Sequence, residues 1–257
     1  NQTPTATMRR RTTAVHRQTA NRRTRIAKRL RSLRKTTARP RNDGRPDAVR
    51  VMWFARKNEE RMTQFDAAEM NDAQTMLDRI LEHPATDHDV AVVQEQLGRY
   101  PRGMMAVGAR CANGCPLAVV TRPLVDGKIP FPTTCYLTGP EIAKAVSHLE
   151  ADGVMREYNE MLALDPQLRE RYERAHRKYL AFRHALALHT GDSEEHIDGI
   201  SAGGMPTRVK CLHALVAQSL VMGPGVNPIG DMALDRLRGE FDPAVCTCAP
   251  ITTGQRD

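Results

Sequence analysis

Asn113–Gly114 lies between two β-rich runs, and this pair limits the possible folds of the chain more than any other feature. The runs and the pair together read MMAVGARCANGCPLAVVTRP, residues 104–123. Asn-Gly is a strong hairpin signal because both central positions of a type I′ turn need positive φ. The following DGKIPFPTTCYLT, residues 126–138, predicts a loop and a third strand. We therefore expect a small antiparallel sheet of about three strands, with a hairpin at 104–123.

Apolar residues at helical spacing on both sides of the hairpin predict helices. Residues 71–83 and 87–98 predict two short helices before it. After it, Thr138 and Glu141 match a capping box for a helix that begins near Pro140 and ends at Gly153. The expected fold class is therefore α+β, with the sheet packed against several helices.

A long helix is predicted from Asp165–Pro166 onward. Its apolar residues follow spacings of four and three: Leu168, Tyr172, Ala175, Tyr179, Phe182 and Leu186. Such a seam needs a partner, and the preceding helix folded back against it is the simplest one. We therefore expect a helical hairpin at 140–189, which also offers a surface to a protein partner.

Basic residues are concentrated at the start of the chain. Residues 1–50 contain 16 Lys and Arg against two acidic residues, whereas the remaining 22 basic and 28 acidic residues give a balance of −6. The basic segment has almost no apolar periodicity, so we expect residues 1–61 to be disordered. Three interpretations stay open: an inert solvated tail, an arm that binds nucleic acid through its phosphates, or residues upstream of the native start.

Residues 62–240 form the predicted single domain, followed by a flexible tail at 241–257. No apolar run reaches the roughly 18–20 residues that a bilayer span needs, so we expect no membrane partner and a cytoplasmic location. In that compartment the six cysteines are expected to be thiols or ligands rather than disulfides.

The stretch GGMPTRVKCLHALVAQSL, residues 203–220, is the best candidate for a site. We expect a helix from about Pro206 or Thr207 to Met222. Gly203 and Gly204 would then expose backbone amides at a helix N-terminus, where a small phosphorylated or carboxylated ligand is stabilised. The alternative is an ordinary Gly-Pro turn followed by a buried cysteine. The candidate ligand-binding residues are Gly203, Gly204, Thr207, Arg208, Lys210, Asn227 and Asp231.

Cys211 and His213 are the candidates for chemistry in this stretch. If both are helical, their side chains diverge around the axis and cannot bind one metal ion together. A zinc site is the competing hypothesis: Cys111 and Cys115 flank the hairpin tip, and Cys211 or a histidine could complete a tetrahedron. Cys-x3-Cys without a second regular pair is a poor metal signature, so no metal is favoured. No nucleophile elbow and no G-x-G-x-x-G fingerprint is present.

The run from GRYPRGMMAVGARCANGCPLAVVTRP to GPGVNPIGDMAL, about residues 98–237, resembles a bacterial, mainly actinobacterial family called domain of unknown function 501. The strings SAGGMPTRVKCLHALVA and GPGVNPIGD are the most specific parts. The resemblance implies a compact cytosolic domain, and family genes often lie beside those for enolase, a divisome coiled-coil protein and an exopolyphosphatase. Members tend to have Cys-x-Cys at the hairpin, whereas Asn113 stands in this chain and the cysteine is Cys115. That departure argues against a common metal site.

The sequence therefore predicts a cytosolic protein that binds a small anionic ligand at residues 203–213, and it leaves enzymatic turnover of that ligand open. One alternative is a noncatalytic adaptor for cell-division or nucleic-acid partners. The other is a protein with a structural zinc site.

Overall fold

The computed structural model describes residues 64–245, which all lie in one compact unit. The basic segment at 1–61 and the thiols of Cys246 and Cys248 lie outside the described residues. The three interpretations of the basic segment, including the nucleic-acid arm, therefore stay predictions.

A three-stranded antiparallel sheet forms the β part of the fold. Strands β1 (Met104–Arg110) and β2 (Pro116–Thr121) pair as a hairpin, and β5 (Cys135–Leu137) pairs with the other side of β2. Two short strands, β3 (Leu124–Val125) and β4 (Ile129–Pro130), form a small ribbon between β2 and β5. The predicted α+β class and the hairpin at 104–123 are confirmed.

The hairpin turn differs from the predicted type. Gly114 has a φ of 82°, but Asn113 is not in the left-handed region, so the turn is not type I′. Instead the Gly114 N–H donates to the Cys111 carbonyl at 2.9 Å and the Cys111 N–H donates to the Cys115 carbonyl at 3.0 Å. This is the pattern of a longer hairpin loop that closes with a left-handed glycine.

Seven α-helices surround the sheet in the described part of the chain. They are α1 (Ala67–Leu81), α2 (Asp87–Leu97), α3 (Pro140–Ala151), α4 (Val154–Leu164), α5 (Pro166–Thr190), α6 (Leu212–Met222) and α7 (Pro228–Leu237). Single 3-10 turns occur at Glu195–Ile197 and Pro243–Val245. Helix α6 lies at the centre, packed against all three strands of the main sheet and against α3 and α7.

The region predicted as a helical hairpin contains three helices. Every apolar residue of the predicted seam in α5 is buried, which confirms the seam. Two helices, α3 and α4, precede α5 where the sequence predicted one, and α5 packs against the directly preceding α4 as well as against α1 and α7. The short loop at Gly153, with φ 82°, turns the chain from α3 into α4.

The predicted capping box before α3 is also wrong. The N-cap residue is Gly139, without a side-chain hydrogen bond to the helix. Thr138 instead directly follows β5 and is buried, with only 2% of its surface exposed. The pattern T-x-x-E is one residue out of register with the real helix start.

The start of α6 differs from the prediction by five or six residues. The helix begins at Leu212, and residues 206–211 form an irregular loop. Thr207, Arg208 and Lys210 therefore belong to this loop and not to a helical face. Within residues 64–245, no helix combines the length and the apolar character that a bilayer crossing requires.

Candidate functional site

The loop before α6 is closed by its own backbone. The Gly203 carbonyl accepts hydrogen bonds from the N–H groups of Lys210 at 2.7 Å and Cys211 at 3.3 Å. Gly203 has φ 69°, and a Cβ there would lie 2.4 Å from a Leu215 methyl carbon. Gly204 has φ 96°, and a Cβ there would lie 2.5 Å from the Arg208 carbonyl oxygen. The two glycines are thus required by the closed loop itself.

Side chains from α4 and α5 fix this loop. The Asn159 amide donates to the Val209 carbonyl at 2.9 Å, and its oxygen accepts from the Val209 N–H at 2.9 Å. The Tyr172 hydroxyl donates to the Arg208 carbonyl at 3.2 Å. Three polar backbone groups of the loop are therefore paired with residues that lie far away in sequence.

The first amide of α6 is occupied by a carboxylate of the chain itself. Cys211 is the N-cap, with φ −152° and ψ 109°, and it makes no side-chain capping bond. The Leu212 N–H donates to Glu150 Oε1 at 2.6 Å. A carboxylate at a helix N-terminus is stabilised by the unpaired amides and the helix dipole. Glu150 thus stands where the sequence predicted an anionic ligand.

Glu150, Cys211 and His213 converge at this helix start. One ligand-type atom from each, a carboxylate oxygen, Sγ and a ring nitrogen, all lie within 4.8 Å of one another. The Nδ1 of His213 is 3.2 Å from Glu150 Oε1. The predicted divergence of Cys211 and His213 is wrong, because Cys211 is extended rather than helical and the helical angle between the two does not apply.

The imidazole of His213 has a fixed orientation. Its Nε2 lies 3.0 Å from the Ala143 carbonyl oxygen and 3.2 Å from Ser147 Oγ. Because a carbonyl oxygen only accepts, Nε2 carries a hydrogen and Nδ1 is the nitrogen that faces Glu150. The pKa of His213 is raised to about 9, mainly by its hydrogen bond with Cys211. Burial opposes this shift, and the hydrogen bond and charge of Glu150 add to it.

The site lies at the surface, and the loop that precedes Cys211 carries two cations. Cys211 and His213 are half-buried, whereas Thr207, Arg208 and Lys210 are exposed. Cys111, Cys115 and Cys135 are buried, so Cys211 is the most accessible thiol between residues 64 and 245.

Asn227 and Asp231 have local structural roles. Asn227 is fully buried, and its Oδ1 caps α7 by accepting from the N–H groups of Ile229 and Gly230, each at 3.0 Å. Its Nδ2 donates to Gln218 Oε1 at 2.7 Å. Asp231 Oδ2 accepts from the Gly225 N–H at 2.8 Å. These contacts do not place either residue with Cys211 in a common cleft.

The predicted grouping of Cys211 with the hairpin cysteines is not observed. Among the described residues, the group of Cys, His, Asp and Glu at metal-binding spacing consists of Glu150, Cys211 and His213. Cys111 and Cys115 are joined to each other by one backbone hydrogen bond at the hairpin tip, from the Cys111 N–H to the Cys115 carbonyl at 3.0 Å. The zinc set proposed from sequence therefore named one member of this group, Cys211.

Glu150 and Asn159 were missed by the sequence interpretation. Both lie on helices more than 45 residues before the loop that they contact. Glu150 lies next to the apolar stripe of α3, where a glutamate typically extends its carboxylate to solvent. No local signal distinguishes it from its neighbours.

The described residues thus form an α+β domain that brings a thiol, an imidazole and a carboxylate together at the start of its central helix. The chain belongs to the family described as Protein of unknown function (DUF501), whose model matches residues 107–235. The family predicted from the sequence is thereby confirmed, and the matched range includes all three members of the cluster. No similar sequence was found among curated proteins, and no similar fold among solved structures.

Proposed function

We propose that residues 203–213 bind a small carboxylated or phosphorylated ligand and that Cys211 is the nucleophile that reacts with it. The observation that supports this most is the convergence of the Cys211 thiol with His213 and Glu150 on a half-exposed surface. Cysteine nucleophiles act as thiolates, and an adjacent imidazolium is the usual counterion. The Ala143 carbonyl orients the ring, so the arrangement does not depend on a mobile side chain.

The preference for an anion follows from the charges around the thiol. Arg208 and Lys210 are exposed within three residues of Cys211. The only carboxylate of the cluster, Glu150, is already hydrogen-bonded to the Leu212 amide. Clustered cations raise the local concentration of anionic ligands and their rate of association. In this proposal the ligand is attracted by the loop side chains and not by the glycine amides predicted from sequence.

The reaction that this arrangement supports is acyl transfer through a thioester. The Cys211 thiolate attacks an activated acyl carbon, and the S–C bond forms as the bond to the leaving group breaks. The leaving group takes the electron pair and receives its proton from the His213 imidazolium. Water then attacks the thioester, and its proton goes to the leaving thiolate through the same imidazole.

Alkylation kinetics test both parts of the proposal. Iodoacetamide is neutral and iodoacetate is an anion of similar size, and the modified cysteines are identified by peptide mass spectrometry. We expect Cys211 to react at least about tenfold faster than buried Cys135, because the thiol is accessible and has an imidazolium partner. We expect His213→Gln to slow the Cys211 reaction with both reagents.

The anion preference is measured as the iodoacetate-to-iodoacetamide rate ratio at Cys211. In Arg208→Ala/Lys210→Ala this ratio should fall by about threefold or more at low salt, and high salt should reduce the difference. Thr207→Ala, a neutral change in the same loop, is the matched control. A noncatalytic adaptor would instead show Cys211 reacting like an ordinary thiol, with a ratio that neither variant changes.

A further inference from the structure

We propose that Glu150, Cys211 and His213 also form a binding site for a thiophilic divalent metal ion of the zinc class. This inference uses the same three side chains as the proposed thiol chemistry but does not depend on that chemistry. A thiolate, an imidazole and a carboxylate are the three protein ligand types that zinc binds. Two anionic ligands and one neutral ligand also balance the charge of a divalent cation.

The spacing of the three groups fits a tetrahedral ion. Ligands bound at about 2.0–2.3 Å lie roughly 3.3–3.8 Å from one another around such an ion. His213 Nδ1 and Glu150 Oε1 are already 3.2 Å apart, and all three ligand-type atoms lie within 4.8 Å. Closing the cluster around an ion requires shifts on the order of 1 Å, which rotation of the half-buried Glu150 and Cys211 side chains supplies.

The contacts behind the cluster are those that metal ligands typically have. A metal-bound histidine usually donates its second ring N–H to a carbonyl or carboxylate. The Nε2 of His213 makes this contact with the Ala143 carbonyl at 3.0 Å, which leaves Nδ1 toward the cluster. The Leu212 N–H holds Glu150 Oε1 in the same way, at 2.6 Å. Both outer contacts come from helix backbone, so His213 is oriented and Glu150 is kept near the cluster before an ion binds.

Three protein ligands leave one tetrahedral position open. Structural zinc sites are closed by four protein ligands, whereas a site with three keeps a position for water or for an oxygen donor of a ligand. The half-exposed position of the cluster agrees with the open type. The inferred site therefore differs from the structural zinc site considered from the sequence, both in its ligands and in its coordination.

Cobalt(II) substitution tests this inference directly. The full chain is purified without a His tag, stripped of metal and titrated with Co²⁺. The background is Cys246→Ser/Cys248→Ser, because this Cys-x-Cys pair lies outside the described residues and could bind an ion by itself. Tetrahedral Co²⁺ with a thiolate ligand gives visible d–d bands and a near-ultraviolet sulfur-to-cobalt band. We expect both, at one ion per chain.

Variants then assign the ligands. Cys211→Ser should abolish the sulfur-to-cobalt band, because Cys211 is its only inferred source. His213→Gln and Glu150→Gln should each weaken Co²⁺ binding by more than the roughly 10–100-fold lost with an outer-shell partner. His148→Gln, at an exposed histidine on the same helix as Glu150, should bind like the parent protein. Circular dichroism of the metal-free variants separates loss of a ligand from loss of the fold.

The two proposals fail in different ways. A sulfur-to-cobalt band that survives in Cys211→Ser, or absence of Co²⁺ binding by the folded parent, would overturn the metal site. Rapid alkylation of Cys211 in the metal-free protein would still support the thiol proposal in either case. If the metal site is correct, saturating Zn²⁺ should slow Cys211 alkylation by at least about tenfold, because the bound thiolate is no longer free to attack.

Discussion

Glu150 contributes to both local stability and the chemistry of the site. Its Oε1 accepts the Leu212 N–H at 2.6 Å and lies 3.2 Å from His213 Nδ1. A carboxylate beside the first turn of a helix typically stabilises it by about 0.3–1 kcal/mol. Removing the side chain would therefore change the start of α6 and the imidazole together. Glu150→Gln is the more informative substitution because it keeps an acceptor for the amide and removes only the charge.

For a substitution at Thr138, the sequence pattern and the structure predict opposite changes in the free energy of unfolding. Its Oγ1 is buried without a hydrogen-bond partner among the described residues. An unpaired buried hydroxyl costs about 1–3 kcal/mol, so an apolar residue of the same shape should be tolerated or preferred. We expect Thr138→Val to leave the free energy of unfolding unchanged or to raise it by about 1 kcal/mol, as measured by urea denaturation.

Thr86 is the matched control for Thr138. Its Oγ1 accepts the Asp89 N–H at 3.1 Å and caps α2. Thr86→Val should therefore lower the free energy of unfolding by about 0.5–2 kcal/mol. If Thr138→Val is destabilising to the same degree, then Thr138 caps α3 as its sequence pattern suggested and the structural interpretation is wrong.

At the level of helices and strands, local sequence patterns predicted the spacing of buried side chains better than they predicted where an element begins. The seam of α5 and the hairpin strands follow from side-chain spacing, which is a property of each segment alone. The start of α6 does not follow from spacing, because Asn159 of α4, 50 residues away in sequence, holds the preceding loop in a non-helical conformation. The sequence predicted a helix that begins at Pro206 or Thr207. In such a helix the side chains of Cys211 and His213 would point in different directions around the axis. The error in the predicted start of α6 is therefore the reason why the proximity of Cys211 and His213 was not predicted.

The contact between α6 and α7 gives a second prediction. Gly230 lies in α7, and a Cβ there would lie 2.3 Å from the Leu215 carbonyl oxygen and 2.4 Å from Ser219 Oγ. Because backbone of α6 cannot move aside cheaply, the helices would have to separate. We expect Gly230→Ala to lower the free energy of unfolding by about 1–3 kcal/mol, despite the better helix propensity of alanine.

Gly239 is the control for that substitution. It follows α7 in a conformation without positive φ, and a Cβ there would meet no atom within 4 Å. Gly239→Ala should leave stability within about 0.5 kcal/mol of the parent protein. Equal urea midpoints for Gly230→Ala and Gly239→Ala would contradict the close approach of α6 and α7.

At the scale of the whole molecule, a buried ion network joins the end of α5 to the long segment that leads to the site. Glu194 is 4% exposed, and its oxygens lie 2.7 Å from Arg183 Nε and 2.8 Å from His184 Nδ1. The Arg183 guanidinium also donates to the carbonyls of Ile197 and Ile200. The segment before Gly203 is thus attached to α5 through this carboxylate and this guanidinium, and also through the contact of Ser201 Oγ with His176 Nδ1 at 2.9 Å.

Burial opposes charge on Glu194, but the hydrogen bond from His184 and the charge and hydrogen bond of Arg183 outweigh it. The pKa of Glu194 is therefore lower than its ordinary value of 4.5. A group with a lowered pKa in the folded state stabilises the fold above its unfolded pKa, and this contribution is lost as pH falls through the folded value. We expect the free energy of unfolding to be constant with respect to this group above about pH 5 and to decrease below about pH 4.5.

Glu194→Gln should remove this part of the pH dependence and destabilise the protein at neutral pH. It leaves the Arg183 guanidinium buried without a counter-charge, which typically costs about 3–5 kcal/mol. Urea denaturation of both proteins from pH 3 to pH 7 measures the effect, and Glu195→Gln at the exposed neighbouring position is the control. The two stability curves should converge as pH falls, because protonation of Glu194 in the parent protein has the same effect as the substitution. Parallel curves would show that Glu194 is not the charged partner of Arg183.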